Sequence, residues 1–513
     1  VPHLSLASVL QESALRRPDT VAVVEGDRSA TYAQLWETAL RRAAALGAAG
    51  VQPGDRVALL GLNTIDFVTA YYGILARGAV VVPIAPMLVA DEIAFLLQDS
   101  GARVALVAVD LEGVVAEGAR QAGAEVLLLG SERALAAEPQ ALRAAREPLD
   151  PAVLFYTSGT TGRPKGAVLT HLNLVMNAFA NAYTANHITP DDVMFGCLPL
   201  FHTFGQTVAL NGTFLVGGRL VLQPRFEPAE ALALMRRHGV TAFLGVPTMY
   251  MALLAALRAE GDDAPRPALR LCVSGGAPLP VKVIEEFNTT FDVTIQEGYG
   301  LSETSPTATV NQLELGVEPG SIGHPIWGVE VEIADPDLDE EIVLRAPGEV
   351  GEIVIRGHNV FAGYHDRPEA TEAAIVDGWF RSGDLGTKDE HGFLRIVDRK
   401  KDLILRGGYN VYPREVEEVL VRHPDVDQVA VVGVPHETHG EEVLAVVVAR
   451  EGAATGEAQA QALLAWAGEH IARHKRPRLV RFVDELPLGP SRKVLKRELR
   501  DRFGSGAGSD AAA

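Results

Sequence analysis

The sequence predicts an α/β protein: a large N-terminal domain of parallel-rich sheets with helices, a small β-barrel-like lobe, and a small C-terminal α+β domain. Short β-branched runs alternate with helical stretches through the first part of the chain, and between Ser321 and Arg395 Gly, Pro and Trp punctuate short strands. A fresh α/β pattern starts after the charged segment Asp398-Arg399-Lys400-Lys401-Asp402. A length of 513 residues also exceeds what one core organises.

The first strands are expected at Val21 to Val24, Arg56 to Leu60, Ala79 to Ile84, Val104 to Val109 and Glu125 to Leu129, separated by helical stretches such as Glu92 to Gln98. That alternation reads as βαβ units and a mainly parallel sheet. The barrel-like lobe follows, with strands such as Val329 to Ile333 and Gly351 to Arg356. A helix at Pro413 to Val421 and strands at Val429 to Val434 and Val443 to Val448 then open the last domain. The expected domains are 1–400 and 401–503, with a tail, 504–513, too poor in burying side chains to order.

With 47% hydrophobic and 22% charged residues the chain has a packed core. A formal net charge of -20 repels nucleic acid and anionic membranes, so nucleic acid is not an expected partner. Cys197 and Cys272 lie in apolar runs without zinc or disulfide spacing and read as buried structural thiols. No N-terminal stretch of this sequence combines basic residues, an apolar run and a small-residue cleavage site, and no apolar run approaches the roughly 18 to 20 residues that span a bilayer. The expectation is a cytoplasmic protein without a membrane span.

Chemistry enters at Thr157-Ser158-Gly159-Thr160-Thr161-Gly162-Arg163-Pro164-Lys165-Gly166, which lies between two apolar runs. Hydroxyls, glycine backbone N–H groups and a lysine in one loop suit a polyphosphate, and ATP is the natural guest. The pattern is not that of a P-loop kinase, because Lys165 follows Arg163-Pro164 and Gly166 stands where a magnesium-binding Ser or Thr belongs. Alone, such a motif could still be an ordinary Gly/Thr hairpin.

It does not stand alone. The loop resembles the signature of the adenylate-forming superfamily of acyl-CoA synthetases, aryl-CoA ligases, luciferases and peptide-synthetase adenylation domains. Pro199-Leu200-Phe201-His202, Gly275-Gly276-Ala277-Pro278, Gly298-Tyr299-Gly300-Leu301-Ser302-Glu303, Trp379-Phe380-Arg381-Ser382-Gly383-Asp384, Asp398-Arg399 and Leu486 to Lys493 resemble its later motifs in the same order. The resemblance implies an AMP-forming acid–thiol ligase that uses ATP, Mg2+ and coenzyme A. It implies that Glu303 holds magnesium, beside a hydroxyl at Ser302, and that Tyr299, with Glu297 and Gly298 before it, packs on the adenine. The backbone of Gly276, Ala277 and Pro278 then lines the adenine edge, Asp384 and Arg399 hold the ribose hydroxyls, and His202 contacts substrate where the acyl group meets phosphate.

The same resemblance implies a mobile C-terminal domain that rotates about a hinge at Lys401. Gly407-Gly408-Tyr409 offers backbone that a pantetheine arm could pass closely. The lysine that the family sends into the adenylation site is Lys493, but the glycine preceding it in the family pattern is here Arg492. An arginine at a position needing positive φ or close backbone approach costs on the order of 1 to 3 kcal/mol. Arg492 therefore predicts a chain whose adenylation half is weak or lost, with thioesterification of a supplied acyl-adenylate retained. A separate adenylating enzyme would then be its partner.

His202 stands where amino-acid-activating relatives carry an aspartate, and no arginine precedes Gly217-Gly218 as in dicarboxylate-specific relatives. The segments Phe204 to Thr213 and Phe243 to Met249 are mostly apolar and, with Phe201, supply the small residues Gly205, Ala209, Gly212 and Gly245. They suggest a roomy pocket for an uncharged, long or bulky acyl tail. The alternatives are an acyl-AMP ligase that loads a carrier protein in trans and a silent nucleotide-binding homologue.

Overall fold

The computed structural model describes residues 3–130, 137–157, 163–261, 263–407, 409–436, 438–488 and 494–504. Of the residues singled out above, Ser158, Gly159, Thr160, Thr161, Gly408, Arg492 and Lys493 lie outside the described residues, as does the tail beyond Gly504. Gly504 itself closes the helix Lys496–Gly504.

Two sheets rich in parallel pairs form the N-terminal part. One has six strands in the order Glu125–Leu128, Val104–Val107, Arg56–Leu60, Val80–Ile84, Pro151–Thr157, Lys165–Thr170, and only the last pair is antiparallel. The other has nine, with Ile295–Gly300, Leu271–Ser274, Ala242–Gly245, Val193–Gly196, Arg219–Leu222 and Val21–Glu25 side by side and parallel. Strands covered on both faces should be apolar throughout, and every residue of Val80–Ile84 and Val104–Val107 is buried. The helix Ile65–Ala76 is buried at all positions but Asp66, and its start is fixed by Thr64, whose hydroxyl accepts from Phe67 N at 3.2 Å.

In the C-terminal part Val426–His436 and Gly440–Ala449 form a long antiparallel pair, flanked by Ile404–Arg406, Tyr409–Val411 and the parallel strand Leu479–Phe482. The period-two alternation splits its side chains between two cores. Val431, Val443, Ala445 and Val447 meet Val416, Leu420 and Leu463, whereas Ala430, Val432, Val434, Leu444 and Val446 meet Leu486 and Leu499.

Contacts divide the chain into two compact units, Val1–Val331 with Val354–Phe380, and Glu332–Ile353 with Arg381–Ala513. The strands Val329–Ala334, Gly351–Gly357 and Trp379–Lys388 each pass from one unit into the other, so the residues of the barrel-like lobe are shared between the two.

His171 opens the helix His171–Phe179 and is 1% exposed, its Nδ1 accepting from Leu6 N at 3.0 Å. Burial, with Arg146 adding to it, lowers its pKa to about 4. An unfolded chain protonates this imidazole near pH 6.5 while the folded chain keeps it neutral. The stabilisation is therefore complete above pH 6.5 and is lost as pH falls from 6.5 toward 4, a change of about 3 kcal/mol. Denaturant midpoints should fall through that window, and His171→Gln should flatten the slope.

Candidate active site

The strand Pro151–Thr157 ends where the phosphate loop begins, and Lys165 stands directly opposite Thr157 on the returning strand. Their pairing brings a hydroxyl and an ammonium to the two feet of the loop. The third component is Glu303, 7% exposed, on the short 3-10 turn Ser302–Thr304. Its Oε1 accepts from Thr157 Oγ1 at 3.1 Å and from the Tyr364 hydroxyl at 3.0 Å. Both bonds fall on one oxygen of the carboxylate, and among the described residues no donor meets Oε2.

Tyr364 is the residue that sequence reasoning missed. Burial and the neighbouring Glu303 carboxylate raise the phenol's pKa, which keeps it a hydrogen donor at neutral pH. Its ring also receives Lys165, whose Nζ lies 5.1 Å from the centroid. Backbone pairing sets this position: Ala362 N donates to Val168 O at 2.9 Å, Val168 N to Gly363 O at 2.9 Å and His365 N to Gly166 O at 2.8 Å. Phe361 N bonds the carbonyl of Glu303 itself at 2.9 Å. Asn177 Nδ2 fastens the same region from the helix His171–Phe179, donating to Thr307 O at 2.8 Å. Glycine and an aromatic at Gly363-Tyr364 beside a short strand carried no chemical spacing by which to single out the phenol.

Parallel register brings the adenine candidates together at the carboxyl ends of three strands, with Gly245 beside Ser274 and Ser274 beside Glu297. This is the edge at which open α/β sheets bind ligands. Gly276 takes φ +84, which favours glycine, and Gly276, Ala277 and Pro278 are exposed there. Gly298 pairs with Val310 across an antiparallel edge, and Tyr299 is 9% exposed. Glu297 turns one oxygen to protein, accepting Gly320 N at 2.7 Å.

His202 is exposed, with Phe201 half-buried before it, and its Nδ1 accepts from Phe204 N at 3.3 Å. The small residues nearby divide in role. A Cβ at Gly205 would lie 2.4 Å from Pro199 O, and one at Gly245 would lie 2.8 Å from the Phe243 ring. Backbone and a core aromatic therefore fill the space that a side chain at either glycine would take. Gly212 has nothing nearer than 3.7 Å, and Ala209 is buried on the π-helix Phe204–Asn211.

The ribose candidates belong to the other unit. Asp384 and Arg399 face each other across two antiparallel strands, with Arg399 Nε 3.2 Å from Asp384 Oδ1. The strand of Asp384 is anchored by a buried ion pair, Arg381 Nη2 to Glu352 Oε2 at 2.6 Å, and by Gly383 N donating to Glu352 Oε1 at 3.0 Å. Lys401 lies exposed in the 3-10 turn Lys400–Asp402. The strand before that turn is bonded to the helix after it: Asp398 Oδ2 accepts Arg414 N at 2.9 Å and Arg414 Nη1 donates to Ile396 O at 3.0 Å. Gly407 takes φ +57, Arg406 pairs directly with Tyr409, and Tyr409 is 60% exposed.

Residues 10–365 match the AMP-binding enzyme family and residues 415–493 match its C-terminal domain. The long-chain-fatty-acid–CoA ligase of Bacillus subtilis (strain 168) is 35% identical over 538 residues, covering 97% of this chain and 94% of that protein. The feruloyl-CoA synthase of an Amycolatopsis species is 39% identical over 489 residues, covering 95% and 96%. Among solved structures, o-succinylbenzoate CoA synthetase from Bacillus subtilis, in complex with its acyl-adenylate intermediate, superposes with a TM-score of 0.86 at 31% identity, covering 98% and 99%. The chain therefore belongs to the AMP-binding enzyme family. Within it, the protein is an acid–thiol ligase of the acyl-CoA synthetase type, binding ATP or AMP and working through an acyl-adenylate. Among the described residues no helix is long and apolar enough to cross a membrane.

Removing one hydrogen bond to a charged group costs about 1.5 to 3 kcal/mol, or roughly 10- to 100-fold in rate where the transition state uses the group. Tyr364→Phe keeps the ring under Lys165 and deletes only the donor to Glu303. Pyrophosphate release should fall by roughly that factor, and the folded state should lose no more than about 1.5 to 3 kcal/mol in denaturant unfolding.

Proposed function

We propose that this protein joins an acid with an apolar, long or bulky tail to coenzyme A, and that Arg492 limits the adenylation half. The observation that supports activation of the acid with ATP is Glu303, gripped on one oxygen by Thr157 and Tyr364 beside Lys165. A pinned carboxylate with its second oxygen available suits Mg2+, which would offset charge on the phosphates. Lys165 adds a fixed positive charge, and Thr157 with the Ser158-Gly159-Thr160-Thr161 loop would supply donors to the β- and γ-phosphates.

In the first half-reaction a carboxylate oxygen attacks the α-phosphorus, the bond to the bridging oxygen breaks, and pyrophosphate leaves. Tyr299 covers the adenine, the backbone of 276–278 meets its edge, and Asp384 accepts from the ribose hydroxyls while Arg399 holds it. Lys493 bridges carboxylate and α-phosphate, with His202 at the mouth of the acyl site. In the second half-reaction the CoA thiolate attacks the acyl carbon and AMP leaves. Gly407 and Gly408 let the pantetheine arm approach closely, after the residues beyond Lys401 have turned. A turn at Lys401 must break the bonds of Arg414 to Asp398 and Ile396, which makes these the contacts that resist it.

Two relatives' names, a long-chain-fatty-acid ligase and a feruloyl synthase, accord with an apolar tail and with His202 in place of a charged residue. The test crosses acids, with ATP, and preformed acyl-adenylates against CoA and a carrier protein. CoA thioester should form readily from acyl-adenylate and slowly from acid plus ATP. ATP–pyrophosphate exchange should be weak in the unaltered chain and rise about tenfold or more in Arg492→Gly, as relief of about 1.4 kcal/mol or more requires. Robust exchange in the unaltered chain contradicts the Arg492 reading, and product on the carrier alone contradicts the CoA reading.

A further inference from the structure

Outside the candidate active site, one cluster combines metal-ligating side chains in a single small volume. His436 ends the strand Val426–His436, His439 lies in the following turn, and Glu442 is the third residue of Gly440–Ala449. The register pairs His436 with Gly440 and Val434 with Glu442. Side chains alternate along a strand, so His436 and Glu442 share one face as diagonal neighbours. The turn brings His439 to the same place, with its Nδ1 3.9 Å from Glu442 Oε2 and its ring 4.7 Å from that of His436 at 24°. One ligand atom from each of the three lies within 4.8 Å of the others.

We propose that His436, His439 and Glu442 form a binding site for a divalent transition-metal ion of the zinc class. Two imidazole nitrogens and one carboxylate oxygen favour zinc, cobalt or nickel over magnesium or calcium, which take oxygen ligands. Bonds of about 2.0–2.1 Å put tetrahedral ligand atoms roughly 3.3 Å apart. Modest rotations of the two solvent-accessible imidazoles close the remaining gap, and water completes the shell. Glu442 is buried and held from behind by Arg406, whose Nε stands 2.6 Å from Oε1, so Oε2 is the oxygen presented to the ion. The guanidinium orients the ligand and, by its charge, keeps the affinity below that of a closed structural site.

The site is tied to the glycine turn. Gly407 N donates to the His439 carbonyl at 2.8 Å, and Arg406 also donates to His474 O at 3.0 Å. An ion held by His436, His439 and Glu442 would therefore fix the turn that carries the Gly407 hydrogen bond. If Gly407 lines the CoA path, as proposed above, the ion slows thioester formation and leaves pyrophosphate exchange unchanged. This last consequence rests on that reading.

Tag-free protein titrated with Co2+ should show the visible bands of a low-coordinate cobalt site at one equivalent, displaced by Zn2+. His436→Ala and His439→Ala should each weaken binding about tenfold or more, and the double variant should abolish it. Zn2+ should also slow hydrogen exchange of the Gly407 amide in the unaltered chain and not in the double variant. The proposal is overturned by absence of a stoichiometric cobalt site, by binding that survives in the double variant, or by unchanged Gly407 exchange with the ion bound. Binding with no effect on thioester formation would count against the CoA assignment of the turn and leave the metal site standing.

Discussion

The candidate active site depends on a single carboxylate held on one side. Glu303 sits nearly out of solvent, where an ionised group is costly unless donors meet it, and Thr157 and Tyr364 supply two on the same oxygen. Those donors come from the foot of the phosphate loop and from a segment laced to the next strand. A shift in either moves the carboxylate with it. Lys165 stacked on the Tyr364 ring closes the set, so cation, phenol and carboxylate are positioned by packing before any nucleotide arrives.

The ribose candidates are pinned by the same economy of means. Asp384 has no rigid element of its own beyond its strand, yet the buried Arg381–Glu352 pair and the Gly383 N–H bond to Glu352 fix the residues just before it. Breaking a buried pair of this kind by removing one partner costs about 3 to 5 kcal/mol. A few residues further on, Asp398 accepts the N–H groups of both Arg399 and Arg414, at 2.7 and 2.9 Å. Burial raises the pKa of that carboxyl while the two backbone donors oppose the rise. It secures the start of the helix Pro413–Leu420 from the strand before the turn at Lys401.

Much of the fold was legible because buried parallel strands are apolar on both faces. Arg56–Leu60 agrees in both bounds, and Val21–Glu25, Val80–Ile84 and Glu125–Leu128 differ by a residue. The long C-terminal strand Val426–His436 was under-read because Asp427, Gln428 and Pro435 break its apolar run, although the ladder continues through them. In the site, motif residues with chemical spacing could be singled out, and Thr157, Lys165 and Glu303 do meet around one point. Tyr364 and Glu352 could not, because each acts through a contact between segments distant in sequence. At Gly205 and Gly245 composition does not say what the missing side chain makes room for, since ligand, backbone and ring are served equally.

The most direct test of the account is the affinity of Mn2+ for the protein–ATP complex, measured by the electron paramagnetic resonance of the free ion, in the unaltered chain and in Glu303→Gln. Glutamine keeps an oxygen for Thr157 and Tyr364 and loses the charge, so the fold should persist while the Mn2+ dissociation constant rises about tenfold or more. An unchanged dissociation constant in Glu303→Gln would contradict the claim that this carboxylate is positioned to hold the metal of the adenylation site.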